Sequence, residues 1–288
     1  VAGLSLAFIG TSTAFSNPIS VNPGDSIQDA INAAQSGDVI SIAPGTYNES
    51  NINPGGKQLT IKGTLDATDG THLTIIDGGY ADTVFVINNF EDDTMVVRDL
   101  LIQRGGVGPS SVGGGMHIET ASPTIDNCIF TENHSWGAGI QVLMCTPPPD
   151  IKNCKIFSNN GTGIQAGFSD FALHSCEISD NSGGGLVLSA GGNSNIIDCE
   201  IYANSSDGGA GVTTDSITTT MTNCHIHSNR ASGTDGGGGG ILCRQEGPNT
   251  PSISLTGCNI TDNTCTGAGG GGIFCMNAEL TMVNCTVE

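Results

Sequence analysis

The sequence predicts an all-β fold of the solenoid type, in which short β-rich coils stack on one another. The chain has 43 Gly and 11 Pro in 288 residues, a turn-rich composition that favours many short elements over long helices. From residue 127 a unit recurs that reads Asn-Cys-x-(Ile/Phe)-x-x-Asn and is followed by a Gly-rich stretch. Its period of 22 to 34 residues, with no helix pattern inside it, indicates stacked β-coils rather than a sandwich. The unit is marked by Cys128, Cys154, Cys176, Cys199, Cys224, Cys258 and Cys285.

The chain begins with an uncharged, largely apolar segment. Residues 1–16 end in small residues, with Ala14 and Ser16 placed as they are before a cleavage site, so we expect a truncated signal peptide and export of the protein. A buried first strand is the alternative for this segment. We expect residues 17–288 to form the solenoid, which stops inside a repeat and is therefore predicted to be C-terminally incomplete.

A short helix is predicted to cap the solenoid at its start. Asp25 can serve as the N-cap, Ile27 and Ile31 lie on one apolar face, and Gly37 supplies the stop. Short strands are predicted to follow, beginning with residues 39–42.

Alternation along a strand explains the repeated unit. Each Cys and the aliphatic residue two places later, such as Cys176 and Ile178, are expected to point inward as small and large apolar groups. Any disulfide is expected among the cysteines outside this column, which are Cys145, Cys243, Cys265 and Cys275. The terminal Asn is expected at a corner, in left-handed conformation and bonded to the next coil. The expected column is Asn133, Asn160, Asn181, Asn204, Asn229 and Asn263.

The charge balance excludes some partners. With 8 Lys and Arg against 28 Asp and Glu, the formal net charge is −20, which repels nucleic acid and anionic membranes. No apolar run reaches the ~18 residues that a membrane helix needs. No transmembrane segment is therefore expected in this chain.

Two stretches carry a family resemblance. The segment SIQDAINAAQSGDVISIAPGTY, within residues 19–47, resembles the capping helix and first coil of right-handed parallel β-helix proteins of the pectin-lyase-like superfamily. The elements Phe130-Thr131-Glu132-Asn133 and Gly137-Ala138-Gly139-Ile140 are similar to the repeats of polymorphic outer membrane proteins. The first resemblance implies a right-handed parallel β-helix, and the second implies a surface-exposed passenger domain.

The outward positions beside the Cys column form a candidate site. Stacking of consecutive coils would place Glu177, Glu200 and His225 in one line at ~5 Å steps, with Tyr202 and His227 beside them. Two carboxylates at this step can act as acid and nucleophile in glycoside cleavage, and a His–Tyr pair can move protons in a lyase. His225, His227 and Glu200 can instead hold a metal. A solvated strand face with paired charges is the remaining interpretation.

Two classes of function therefore stay open. The resemblance and the predicted export favour a secreted or cell-surface adhesive module, without catalysis, that binds an extracellular glycan or a surface protein. The alternative is a polysaccharide lyase or glycoside hydrolase. No cofactor is required in either case, and Ca²⁺ is one candidate for bridging an acidic polymer to this acidic chain. The surface-binding candidates are Lys155, Phe157, His227 and Arg244.

Overall fold

A computed structural model describes residues 18–106, 113–233, 237–245 and 250–288. These residues form a parallel β-solenoid of about nine turns, as the repeat predicts. The predicted signal peptide, residues 1–16, lies outside the described residues. Among the described residues, no helix is long and apolar enough to cross a membrane.

Three parallel sheets form the sides of the solenoid, and neighbours in each sheet come from successive coils. Sheet A contains, in stacking order, Pro18–Val21, Val39–Ile42, Thr60–Lys62, Val96–Arg98, Thr124–Asp126, Asp150–Lys152, Phe171–His174, Asn193–Ile197, Thr218–Thr222, Ser252–Thr256 and Glu279–Val283. Sheet B contains Gly45–Asn48, Thr74–Asp77, Leu101–Gln103, Ile129–Thr131, Lys155–Phe157, Glu177–Ser179, Glu200–Tyr202, His225–His227, Asn259–Thr261 and Thr286–Val287. Sheet C contains Phe85–Ile87, Met116–Glu119, Ile140–Leu143, Ile164–Gly167, Leu186–Ser189, Val212–Asp215, Ile241–Arg244 and Ile273–Met276. A short fourth sheet joins Ser205–Ser206, Arg230–Ala231 and Thr264–Cys265.

The helix spans Ile27–Ala33 and buries Ile27 and Ile31. Its N-cap is Ser26, whose Oγ accepts a hydrogen bond from the Asp29 amide at 3.1 Å, so the prediction of Asp25 as the cap is wrong by one residue. The backbone of Ser26 is extended, as a cap requires. Asp25 instead accepts the amide of Asn22 at 2.9 Å and closes the preceding turn.

The core is a stack of aliphatic side chains with the predicted column of cysteines along one edge. Cys128, Cys154, Cys176, Cys199, Cys224 and Cys258 are all buried. All eleven cysteines are free, and this includes the four outside the column. The amides of Cys128 and Cys154 each approach the sulfur of the next coil at 3.4 Å, so these thiols act as small core groups.

The buried Asn column differs from the prediction at one position and in its backbone. Asn159, not Asn160, belongs to the column, because every other member lies five residues after its Cys and Asn160 lies six after Cys154. Asn160 is exposed. The left-handed residue is the one before each Asn, with φ of 54° at Glu132 and 55° at Ser158. This left-handed residue turns the chain so that the side chain of the following Asn points inward. The buried Asn amide is then satisfied by hydrogen bonds to neighbouring coils.

From Met116–Glu119 to Ile241–Arg244, each strand of sheet C follows a glycine that permits close approach of two coils. A Cβ on Gly185 would lie 2.7 Å from the carbonyl oxygen of Gly211 and 2.9 Å from Nδ2 of Asn204. Gly185 does not have a positive φ, so glycine is needed at this position for the space beside the Asn column rather than for its conformational freedom.

Candidate functional site

The outward face of sheet B brings the predicted site residues together in two adjacent rows. Pairing of the strands places Lys155, Glu177, Glu200, His225 and Asn259 in one row. The second row, two residues further along each strand, contains Phe157, Ser179, Tyr202, His227 and Thr261. The constant offset from the Cys column produces this register, because side chains of one strand alternate between core and surface.

The first half of this face contains an ion pair between Lys155 and Glu177, and the hydroxyl group of Tyr202 is hydrogen-bonded to the same carboxylate. The Lys155 Nζ lies 2.8 Å from Oε2 of Glu177, and the Tyr202 hydroxyl donates to Oε1 of Glu177 at 2.5 Å. Hydrogen bonds from Lys155 and Tyr202 lower the pKa of Glu177, and the same bonds raise the pKa values of Lys155 and Tyr202. Glu177 therefore stays ionised and its two partners keep their protons, which is opposite to what a general acid at Glu177 or a general base at Tyr202 needs.

The second half contains Glu200 and two histidines. Glu200 Oε1 lies 3.2 Å from Nε2 of His227 and 3.8 Å from Nδ1 of His225. The two imidazole rings are 4.1 Å apart, and Tyr202 stacks on His227 with ring centroids 5.0 Å apart. Burial and the neighbouring His227 lower the pKa of His225, so His225 is neutral at neutral pH and has a lone pair available for a proton or a metal.

A groove of about 670 Å³ crosses the first half of the face. Its wall is the turn that connects the strand Thr60–Lys62 to the strand Thr74–Asp77, where His72 Nε2 lies 2.7 Å from the carbonyl oxygen of Asn127. Asp66 and Asp69 stabilise the turn by accepting the amides of Thr68 and Thr71 at 2.7 Å and 2.9 Å. The repeat pattern of the sequence does not predict this wall. The groove is lined by Asp69, His72, Asn127, Lys155, Phe157, Glu177 and Tyr202, among others, whereas Glu200 and His225 lie outside it.

A second groove, of about 810 Å³, lies at the corner between sheets B and C. At its edge stands Trp136, the one tryptophan of the chain, with 85 % of its surface exposed. Small polar side chains from successive coils form the floor, including Asn160, Ser182, Ser206 and Ser232. Sequence reasoning missed this site, although a lone Trp directly before a Gly-rich turn was an available indication.

The floor of this groove, which we call the Trp136 groove, is ordered by side-chain hydrogen bonds between coils. Ser182 Oγ donates to Oδ1 of Asn160 at 3.2 Å, and Ser232 Oγ donates to Oδ1 of Asp207 at 2.8 Å. Asp207 is the one charged side chain among the described residues that line the groove. The arrangement offers a flat aromatic surface beside a row of hydroxyl and amide groups.

Arg244, a predicted surface-binding residue, lies away from both grooves. It ends the strand Ile241–Arg244 of sheet C in register with Asp215, and its Nε lies 4.0 Å from the Asp215 carboxylate. The structure therefore does not bring Arg244 to the face that carries Lys155, Phe157 and His227.

A family model described as "Right handed beta helix region" matches residues 19–213 and 145–288. The chain belongs to the right-handed β-helix family. This result agrees with the three-sheet solenoid and with the wider of the two resemblances in the sequence. The resemblance to polymorphic outer membrane protein repeats stays a prediction.

Several solved structures are similar to this chain at low sequence identity. The pectate lyase Pel9A has a TM-score of 0.57 and 12 % identity, covering 96 % of this chain and 80 % of that one. ORF18 of Geobacillus virus E2 has a TM-score of 0.45 and 15 % identity, covering 91 % of this chain and 56 % of that one. Pectin methylesterase PemA from Erwinia chrysanthemi has a TM-score of 0.42 and 13 % identity, covering 86 % and 79 %. No curated protein matches the sequence significantly.

Proposed function

We propose that this β-helix is a secreted or cell-surface module that binds a neutral glycan in the Trp136 groove. The observation that carries the proposal is the exposed indole of Trp136 beside a row of hydroxyl and amide side chains. Sugar rings have an apolar face of C–H groups and an edge of hydroxyls. An aromatic side chain packs on the C–H face, and polar side chains form hydrogen bonds with the hydroxyl groups.

The charge of the groove selects a neutral ligand. Asp207 is the charged side chain of the described lining, and the chain as a whole carries a formal charge of −20. A polymer of acidic sugars would be repelled by both. A neutral, extended glycan can run along the stacked coils without this penalty.

Binding without catalysis fits the polar face of sheet B better than glycoside cleavage does. Cleavage needs one carboxyl group with a raised pKa as general acid, but Lys155 and Tyr202 lower the pKa of Glu177. Because the fold is shared with a pectate lyase, the enzymatic alternative is tested in parallel. Export, surface display and binding of a surface protein rest on the sequence alone.

The test is calorimetric titration of the full chain with soluble neutral and acidic oligosaccharides, with and without Ca²⁺. We expect binding of a neutral oligosaccharide that weakens at least tenfold, or about 1.4 kcal/mol, in Trp136→Ala. Phe168→Ala is the matched control, because Phe168 is an exposed aromatic residue outside the groove, with 68 % of its surface accessible. Binding that is equal in both variants, or binding of acidic polymers alone, contradicts the proposal.

A parallel assay addresses the enzymatic alternative. Each polysaccharide is incubated with the protein, and new reducing ends and unsaturated uronate are measured. Product that disappears in Glu200→Gln and His225→Ala would place an active site on sheet B and overturn the non-catalytic proposal. Absence of product, with binding retained, supports it.

A further inference from the structure

We infer that Glu200, His225 and His227 form a binding site for a divalent transition metal, with zinc as the expected ion. Among the described residues, these three make up the one group whose potential ligand atoms all lie within 4.8 Å of one another. The site is separate from the Trp136 groove, and the inference does not depend on glycan binding.

The distances from the Glu200 carboxylate to the two imidazoles are close to those between ligand atoms of a tetrahedral site. Zinc bonds of about 2.0–2.1 Å at tetrahedral angles place ligand atoms about 3.3 Å apart. Glu200 Oε1 lies 3.2 Å from Nε2 of His227 and 3.8 Å from Nδ1 of His225. The two imidazole planes are tilted by 30° to each other, so the His225 ring must rotate to bring its lone pair onto an ion bound between the three groups.

The sheet holds these ligands by its register. His225 and His227 are two residues apart on one strand, so both point outward, and Glu200 is paired with His225 on the adjacent strand. Tyr202 stacks on the ring of His227 and restricts its rotation. A site built on strands in this way is more precise than one built on loops.

The second nitrogen of each imidazole has a hydroxyl partner. His225 Nε2 lies 3.5 Å from Thr261 Oγ1, and His227 Nδ1 lies 3.2 Å from Ser228 Oγ. When these nitrogens donate to the hydroxyls, the nitrogens that face Glu200 carry the lone pairs. Such outer partners orient metal-binding histidines.

The ligand set indicates which metal binds. Two imidazoles and one carboxylate suit zinc, copper or nickel better than calcium or magnesium, which prefer oxygen ligands. Half of the Glu200 side-chain surface and 42 % of that of His225 are exposed, so solvent reaches the site. Three protein ligands with solvent access leave a fourth position for water or a ligand oxygen.

Calorimetric titration of the full chain, stripped with a chelator, with ZnCl₂ tests the inference. We expect one zinc per chain and at least tenfold weaker binding in His225→Ala, His227→Ala and Glu200→Gln. His174→Ala is the matched control, since His174 lies on sheet A, and it should bind as the wild type does. Thr261→Val should weaken binding about tenfold without changing the stoichiometry, because it removes only the outer partner of His225.

A second readout separates this site from the free thiols. Cobalt bound by the proposed ligands gives a visible spectrum without thiolate charge-transfer absorption, whereas binding by Cys275 or another partly exposed cysteine would show it. Zinc should also raise the thermal midpoint of the wild type and of His174→Ala, but not that of His227→Ala, and circular dichroism checks that each variant is folded. Equal zinc affinity in all folded variants, no zinc binding by the wild type, or a thiolate band would overturn the inference.

Discussion

Replacement of Asn159 by alanine should destabilise the solenoid strongly, although it removes only a small polar side chain. Asn159 is 2 % exposed. Its Oδ1 accepts the backbone amide and the side-chain Nδ2 of Asn133 at 3.0 Å and 3.1 Å. Its own Nδ2 donates to the carbonyl oxygens of Phe130 and Phe157 and to Oδ1 of Asn181. One side chain thus connects three successive coils.

The magnitude follows from the donors that lose their acceptor. Asn159→Ala leaves the backbone amide of Asn133 and one N–H of its side chain without a partner, and each buried orphan costs about 1–3 kcal/mol. The free energy of unfolding should therefore fall by about 2–6 kcal/mol. With a urea m value of about 3 kcal/mol/M, the midpoint should shift by roughly 0.7 to 2 M.

The adjacent residue supplies the control. Asn160 has the same side chain in the same coil but is exposed, so Asn160→Ala should change the free energy of unfolding by no more than about 0.5 kcal/mol. Urea unfolding followed by circular dichroism compares the two variants with the wild type. Equal losses in both variants, or a larger loss in Asn160→Ala, would refute the assignment of Asn159 to the buried column.

Three further predictions concern the core and its charges. Contact with the Cys176 thiol and burial raise the pKa of Cys199 to about 12, so a thiol reagent at about pH 8 should label the native column only after unfolding, as mass spectrometry of the labelled peptides would show. Burial opposes ionisation of Asp77, but hydrogen bonds from Arg104 and Gln103 lower its pKa. Ionised Asp77 therefore stabilises the folded protein fully above about pH 4, and this contribution is lost as the pH falls through the lower native pKa. Asp77→Asn should flatten the acid limb of a plot of unfolding free energy against pH. An unchanged slope would contradict this prediction. Gly185→Ala should lower the free energy of unfolding by about 1–3 kcal/mol, measured by urea denaturation, because the added Cβ would contact Gly211 and Asn204. An unchanged midpoint would show that the two coils can move apart at no cost in free energy.

The periodic part of the molecule could be predicted from the sequence, because stacking repeats one local rule in every coil. The inward column at Cys176 and Cys199 follows from alternation, and the same offset places Glu177, Glu200 and His225 in one row. The error at Asn160 arose where two asparagines are adjacent and only the count from Cys154 distinguishes them.

The non-periodic part could not be predicted. The turn that carries His72 reaches Asn127, a residue 55 positions away, and no repeat encodes that contact. The exposure of Trp136 likewise depends on where its turn leaves the corner between two sheets. The wall of one groove and the edge of the other come from such departures from the repeat, so the sequence indicated the polar face without its walls.

Fluorescence of Trp136 during titration with a neutral oligosaccharide is the direct test of glycan binding in the Trp136 groove, because the chain has no other tryptophan. We expect a saturable change in emission, with the same dissociation constant that calorimetry gives, and no change on titration with an acidic oligosaccharide. Calorimetric binding of the neutral oligosaccharide without any change in Trp136 emission would contradict it.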